Sequence, residues 1–157
     1  MTYMIDGHNL IPKIRGMSLS AEDDEQQLIR WLQAFCSARH KPVEVYFDQA
    51  AAGHAGRRSF GMVKATFVPA SSSADEAIRR RLAQLGKSAK NWTVVTSDRR
   101  VQAEARSLGA QVRTSEEFAR VAQQVIDAHS AREVPPPQLS GAELEEWLKL
   151  FNSKKDK

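Results

Sequence analysis

Thr2-Tyr3-Met4-Ile5-Asp6-Gly7-His8-Asn9-Leu10, the stretch that follows Met1, sets a short apolar run directly in front of an aspartate. A run of this length and composition is a buried-strand signal. The same pattern returns at Val43–Phe47 before Asp48 and at Trp92–Val95 before Thr96-Ser97-Asp98. Val63, Ala65 and Phe67 alternate with polar neighbours as a third strand in chain order, and Ala110–Val112 gives the fifth. Helical signals fall between the strands. Ser20 is a candidate N-cap, followed by the acids Glu22–Glu25 and the stripe Leu28, Leu32 and Phe35 with Ile29 and Cys36 beside it. Ser73 and Glu76 form a capping box for a helix that buries Ile78, Leu82 and Leu85 and stops at Gly86. Val101, Ala105 and Leu108 mark a short helix. Thr114 and Glu117 cap another that carries Phe118, Val121, Val125 and Ile126. Gly7–Leu19 and Gln49–Gly61 read as loops. Strands alternating with helices predict an α/β fold, a central, mainly parallel five-stranded sheet covered on both faces. Pro135-Pro136-Pro137 reads as a stiff linker, and Ser140 opens an amphipathic helix with Leu144, Trp147, Leu148 and Phe151. The expected organisation is one domain over 1–132, with 133–157 a linker and C-terminal helix packed on it.

At 157 residues the chain is long enough for a real core without staples. Cys36 is its single cysteine, so no intrachain disulfide forms and a reducing compartment is the natural reading. No signal-peptide pattern and no membrane-length apolar run is visible, so the expected setting is cytoplasmic, without a membrane partner. The net charge is +4. Its distribution is uneven: Gly16–Asp48 holds six acids against three bases, whereas Gln49–Arg100 holds ten bases against only Asp75, Glu76 and Asp98. Those few carboxylates in a basic stretch suggest a site rather than a solubilising surface.

Ligands of open parallel sheets bind beyond the carboxyl ends of the strands. Asp6, Asp48 and Asp98 are expected there, with Asp75 and Glu76 joining from a helix start. Carboxylates crowded at one edge repel and call for a cation. All-oxygen ligands suit Mg²⁺ or Mn²⁺, which can activate water and stabilise charge on a phosphoryl oxygen. Plainer readings stand beside these. Asp98 is equally a helix cap, Asp48 a turn residue, Glu76 a capping-box partner and His8 an ordinary loop residue. Arg57, Arg58, Arg79, Arg80, Arg99 and Arg100 surround the acids in sequence and can grip phosphates, although Arg79–Arg81 also reads as a solvated helix face. Phe60 is the one loop aromatic placed to stack on a base, or else part of the core. Gly-x-Gly-x-x-Gly and Walker patterns are absent, which excludes a nucleotide-binding dehydrogenase. Asp-x-Asp after the first strand is absent too, which disfavours a small-ester phosphohydrolase.

Met4–Leu10, Val45–Asp48, Ser73–Ile78 and Val94–Asp98, in that order, resemble the NYN domain of the PIN-like nuclease superfamily, in its YacP-like bacterial branch, which includes a ribosome-associated endoribonuclease. The resemblance runs from Thr2 to about Ile126, and Leu139–Phe151 is similar to the end of that branch. It implies a three-layer α/β/α, PIN-like (Rossmann-like) domain and metal-dependent endoribonuclease activity on RNA through metal-activated water, with the ribosome as a candidate further partner. Carried over, Asp6 is the central metal ligand, Asp75 and Asp98 complete a catalytic metal site, and Asp48 lies nearby as a ligand through water or a supporting group. Asn9 positions Asp6 or a substrate phosphate. Glu76, Ser97 and His8 fall inside the matching strings without an assigned role. The alternative is an RNA- or ribosome-binding module of the same fold without turnover.

Overall fold

The computed structural model describes residues 1–51 and 53–133. Its elements follow as β1 (Thr2–Asp6), α1 (Gly7–Leu10), α2 (Asp24–Arg39), β2 (Val43–Ala50), β3 (Gly56–Phe60), β4 (Val63–Pro69), α3 (Ala74–Leu85), β5 (Trp92–Val95), α4 (Arg99–Ser107), β6 (Gln111–Arg113) and α5 (Ser115–Glu133). Single 3₁₀ segments span Ile11–Lys13 and Gly86–Asn91. The strands form one six-stranded sheet in the order β3-β4-β2-β1-β5-β6. Every pairing is parallel except β3 with β4. Central β1 lies between β2 and β5, with Ile5 opposite both Val45 and Val95.

Alternating side chains of these strands enter two cores, which is why their sequences read as continuous apolar runs. Ile5, Val43, Val45, Phe47 and Val95 pack with Leu28, Leu32 and Phe35 of α2 and Phe118 and Ala122 of α5. Met4, Tyr46 and Val94 point the other way, onto Ala74, Ile78 and Leu82 of α3 and Val101 and Ala105 of α4. Burying each large apolar side chain contributes about 1.5–3 kcal/mol, so the two cores together hold the three layers. The layers are those of the PIN-like, Rossmann-like α/β/α expectation.

Two stretches expected as loops are structured. Gln49–Gly61 contains β3, which makes the sheet six-stranded rather than five-stranded. The strand buries almost nothing: Gly56 to Ser59 are exposed. It is an edge held by its ladder to β4, and charged residues on an edge discourage further pairing. Apolar periodicity cannot reveal such a strand. Gly7–Leu19 contains α1 and a 3₁₀ turn, with Leu10, Ile11 and Ile14 buried. Met1–Ile126 forms one compact unit, and a second begins at Asp127. The linker and terminal helix expected from Pro135 onward lie outside the described residues.

Candidate active site

Strand order reverses at β1. The chain builds β2 and β4 on one side of it, then returns to lay β5 and β6 on the other. Loops diverge at such a point and leave a crevice at the carboxyl ends of the strands. Asp6 is the last residue of β1, and Asp98 stands three residues past β5 as the N-cap of α4. Asp75 enters from the first turn of α3. Asp48 lies within β2, where an irregularity in register between Phe47 and Ala50 and a positive φ of 61° at Gln49 bend the strand. A bulge of this kind re-aims a side chain.

The carboxyls of these four residues act on one another. Asp6 is buried, and desolvation, followed by the charge of Asp75 and then that of Asp48, pushes its pKa from 3.8 to about 7; the Asn9 backbone amide partly offsets the rise. Burial also raises Asp75, together with the charge of Asp98 and a hydrogen bond to it. The interaction with Asp6 pulls Asp75 partly back down. Asp75 thus interacts with Asp6, Asp98 and Asp48, and Asp48 with Asp6 as well. Among the described residues, no three His, Cys, Asp or Glu side chains form a ready-made group for a metal ion.

Local sequence explains how each side chain is held. Asp98 Oδ1 accepts the backbone amides of Arg100 (2.9 Å) and Val101 (3.1 Å), so the capping role is real and coexists with the contact to Asp75. Ser73 Oγ accepts the Glu76 amide at 3.1 Å, which starts α3 one residue before Asp75. Glu76 turns its carboxylate to Ser72 and Arg80. Gly7 has no side chain because none fits: a Cβ there would stand 2.4 Å from the Phe47 ring. Its absence lets α1 turn off β1 directly against β2.

Residues 3–151 match the YacP-like NYN domain. The chain belongs to that family. This is a nuclease-type domain, and NYN and PIN-like nucleases generally depend on divalent metal. The crystal structure of Rae1 (YacP) from Bacillus subtilis is similar, at 24% identity, covering 99% of this chain and 95% of that one with a TM-score of 0.70. A single-substitution mutant of the same protein matches at 26% identity, covering 94% and 90%, with a TM-score of 0.67. No curated protein sequence matches.

The remaining residues of this NYN domain sort by their partners. Asn9 Oδ1 accepts the Ser97 amide at 3.0 Å and the Ser115 hydroxyl, so its side-chain oxygen ties α1 to the β5 loop and to α5. Ser97 Oγ donates to Glu116 (3.2 Å), which also pairs with Lys13 (3.0 Å). His8 is no plain loop residue. Its Nδ1 lies 2.7 Å from Asp48 and its Nε2 2.9 Å from Glu25. Burial disfavours its charge, but the hydrogen bond to Asp48 and the charges of Glu25 and Asp48 outweigh that and raise its pKa above 6.5. With a carboxylate on each nitrogen, the imidazolium, which donates from both, is the form that satisfies the site.

The arginines divide. Arg79 pairs with Glu104 (2.7 Å) and Arg80 with Glu76 (2.8 Å). Arg81 binds Glu44 through two nitrogens at 3.1 Å and covers the Trp92 ring. Arg57, on β3, also reaches Glu44, at 3.4 Å. Arg58 lies 5.0 Å over the Phe67 ring. Arg99 and Arg100 are exposed at the start of α4 beside Asp98, with no side-chain partner among the described residues. Sequence reading missed Glu25 and Glu44. Glu44 carried a signal: an acid inside Val43-Glu44-Val45-Tyr46-Phe47, a strand buried on both faces, must have a cationic partner. Glu25 carried none, since its partner is 17 residues away.

Proposed function

We propose that this chain is a metal-dependent endoribonuclease that cleaves RNA by metal-activated water. The observation that carries the reading is the coupling of Asp6, Asp75, Asp98 and Asp48 at the switch point of a parallel sheet, with Asp6 raised to about 7. Carboxylates whose charge is this costly favour a cation, and an all-oxygen donor set fits Mg²⁺ or Mn²⁺. Asp6, Asp75 and Asp98 would hold the ion, with Asp48 beside them, once they exchange their mutual hydrogen bonds for it. When bound, such an ion supplies a hydroxide nucleophile at neutral pH and offsets phosphoryl charge.

The chain's own residues do the rest. Arg99 and Arg100 project beside Asp98 and would take flanking phosphates. Arg58 would meet the strand further along β3, whereas Arg57 is already paired with Glu44. Arg79 and Arg80, already paired, hold α3 in place and contribute less to RNA. His8 fixes Asp48, and Asn9 fixes the Ser97 loop that presents Asp98. The nuclease domain is taken as 1–132, with 133–157 appended. Among the described residues no helix is long and apolar enough to cross a membrane. Cys36 is free and buried, its thiol pushed up to about 11 by desolvation, which fits a reducing cytoplasmic setting.

A second reading, an RNA- or ribosome-binding module without turnover, draws on the absence of a ready-made metal group among the described residues. One experiment separates the two. End-labelled RNA and translating ribosomes are incubated with the protein, with Mn²⁺ or with EDTA, alongside Asp75→Asn. The nuclease reading expects cleavage with Mn²⁺, none in EDTA, and none by Asp75→Asn although it still binds RNA. Binding without cleavage in every arm leaves the module.

A further inference from the structure

Beside the carboxylates lies a groove of about 560 Å³ between α2 and the edge of the sheet, lined by Glu25, Ile29, Arg30, Arg58, Phe60 and Phe67. Nothing in the acidic centre uses it. We propose that this groove receives one unpaired base of the RNA strand whose phosphate sits at the carboxylates, with the Arg58 guanidinium as the stacking surface. The proposal rests on the nuclease reading for the position of that phosphate.

Three observations carry it. First, a layered stack leads into the groove. Phe47 and Phe67 are register partners on β2 and β4, with stacked rings 5.4 Å apart. Strand β4 lies between β2 and β3, so Phe67 has Phe47 on one side and Arg58, 5.0 Å over its ring, on the other. Arg58 is exposed. A guanidinium plane resting on an aromatic ring is itself a platform on which RNA bases stack. Second, the lining suits a base. Arg30 and Arg58 are exposed cations that complement a polyanion, while the half-buried rings of Phe60 and Phe67 and buried Ile29 give apolar walls. Gln33 Nε2 donates to the Phe60 carbonyl at 3.4 Å and bridges α2 to β3. Glu25 adds an acceptor for base amino or imino hydrogens. Third, one wall of the groove reaches the acidic centre through a single side chain. Glu25, in its wall, is separated from Asp48 by a single imidazole, through His8 contacts of 2.9 and 2.7 Å. A strand lying across the carboxylates therefore brings a neighbouring nucleotide to the groove mouth. A base within a duplex is already stacked and paired, so this site selects single-stranded RNA.

The test uses the full chain in EDTA, where cleavage is not expected. Anisotropy at fixed salt measures the affinity for a short single-stranded RNA and for the same ribose-phosphate chain without bases. The parent should bind the base-bearing strand more tightly by on the order of tenfold, the effect of one stacked base. Arg58→Lys keeps the charge and removes the plane. It should bring the ratio close to one while affinity for the baseless strand holds. Phe60→Leu should narrow the ratio as well. A ratio absent from the parent, or unchanged in Arg58→Lys, overturns the proposal. So does a concentration-dependent dimer that Phe60→Leu dissociates, since a second copy would then be the occupant. Cleavage with Mn²⁺ is scored separately. An active parent whose ratio survives Arg58→Lys sinks the groove and spares the nuclease. A ratio lost in Arg58→Lys without any turnover does the reverse.

Discussion

Asp6 and His8 are two residues apart, and each makes stability fall as pH rises, in different windows and for different reasons. The folded Asp6 carboxyl keeps its proton up to about pH 7, whereas the unfolded one releases it near 3.8. Between those values the folded state binds more protons, so this residue makes stability fall as pH rises through that window and level off above it. The effect is a few kcal/mol. Asp6→Asn should flatten the trend: in EDTA, urea melts at pH 5 and pH 8 should differ less than in the parent, and the variant should be the more stable at pH 8. Added Mn²⁺ should raise the parent's Tm and leave that of Asp6→Asn in place. An equal metal shift in both would remove Asp6 from the ligand set. His8 has the same sign from a different cause: it contributes stability while charged, whereas Asp6 costs stability once it ionises. Its folded pKa is raised above 6.5, so its ion pairs stabilise fully below the unfolded pKa and fade as pH climbs through the folded one. His8→Gln should therefore lose stability near pH 5.5 and almost none near pH 9, measured by the same melts. A loss independent of pH would make His8 a packing residue. The aspartates were legible in the sequence because each follows an apolar run or opens a helix. The His8–Glu25 pair was not, because it joins two elements through space and no spacing rule reaches it.

Elements were legible to the extent that they bury an apolar face. Strand β5 falls at its expected bounds, Trp92–Val95, and α3 starts at its expected Ser73 cap and ends at Gly86, which takes a positive φ of 52°. Strand β3 escaped because Arg57, Arg58 and Ser59 show no apolar alternation and its stabilisation is backbone pairing. The helix expected from Ser20 instead begins at Asp24, and the side chain of its Asp23 cap accepts from the Gln27 side chain (2.9 Å) rather than from a first-turn amide. Helix α1 was hidden behind a glycine that reads as a loop signal. Its reason is packing, and that gives a prediction at this scale. Ala normally stabilises a helix over Gly by about 1 kcal/mol. In Gly7→Ala the new methyl would stand 2.4 and 2.6 Å from carbons of the Phe47 ring and 3.1 Å from the Tyr46 carbonyl. Phe47 is fully buried and stacked on Phe67, so it cannot yield cheaply. Overpacking of this kind costs about 1–3 kcal/mol. The substitution should thus destabilise by roughly 2 kcal/mol, opposite in sign to its helix propensity, as urea melts would show. A neutral or stabilised variant would mean that α1 can lift from β2 freely.

At the scale of the molecule, a net charge of +4 does not say where RNA lies, because charge already spent on carboxylates releases no counterions when phosphate arrives. Arg79 and Arg80 are spent in this sense, on Glu104 and Glu76. Arg99 and Arg100 have no such partner among the described residues and flank Asp98 at the switch point. The sequence made the four look equivalent, all close in number to a candidate metal-ligating aspartate; only the folded arrangement separates them. Two double variants turn this into a measurement. Arg99→Gln with Arg100→Gln, and Arg79→Gln with Arg80→Gln, each lower the formal net charge from +4 to +2. A long-range field treats them alike. Local phosphate contact does not. Each contact to a single strand contributes about 0.7 to the slope of log affinity against log salt. The Arg99 and Arg100 pair should therefore flatten the slope by about 1.4, and the Arg79 and Arg80 pair by much less. The second pair should instead lower thermal stability slightly, because exposed ion pairs are worth little. Filter binding of a single-stranded RNA over a salt series, on the full chain in EDTA, reads both. Equal slopes for the two variants would mean that net charge, rather than the placement of Arg99 and Arg100 beside the carboxylates, governs how this chain holds RNA.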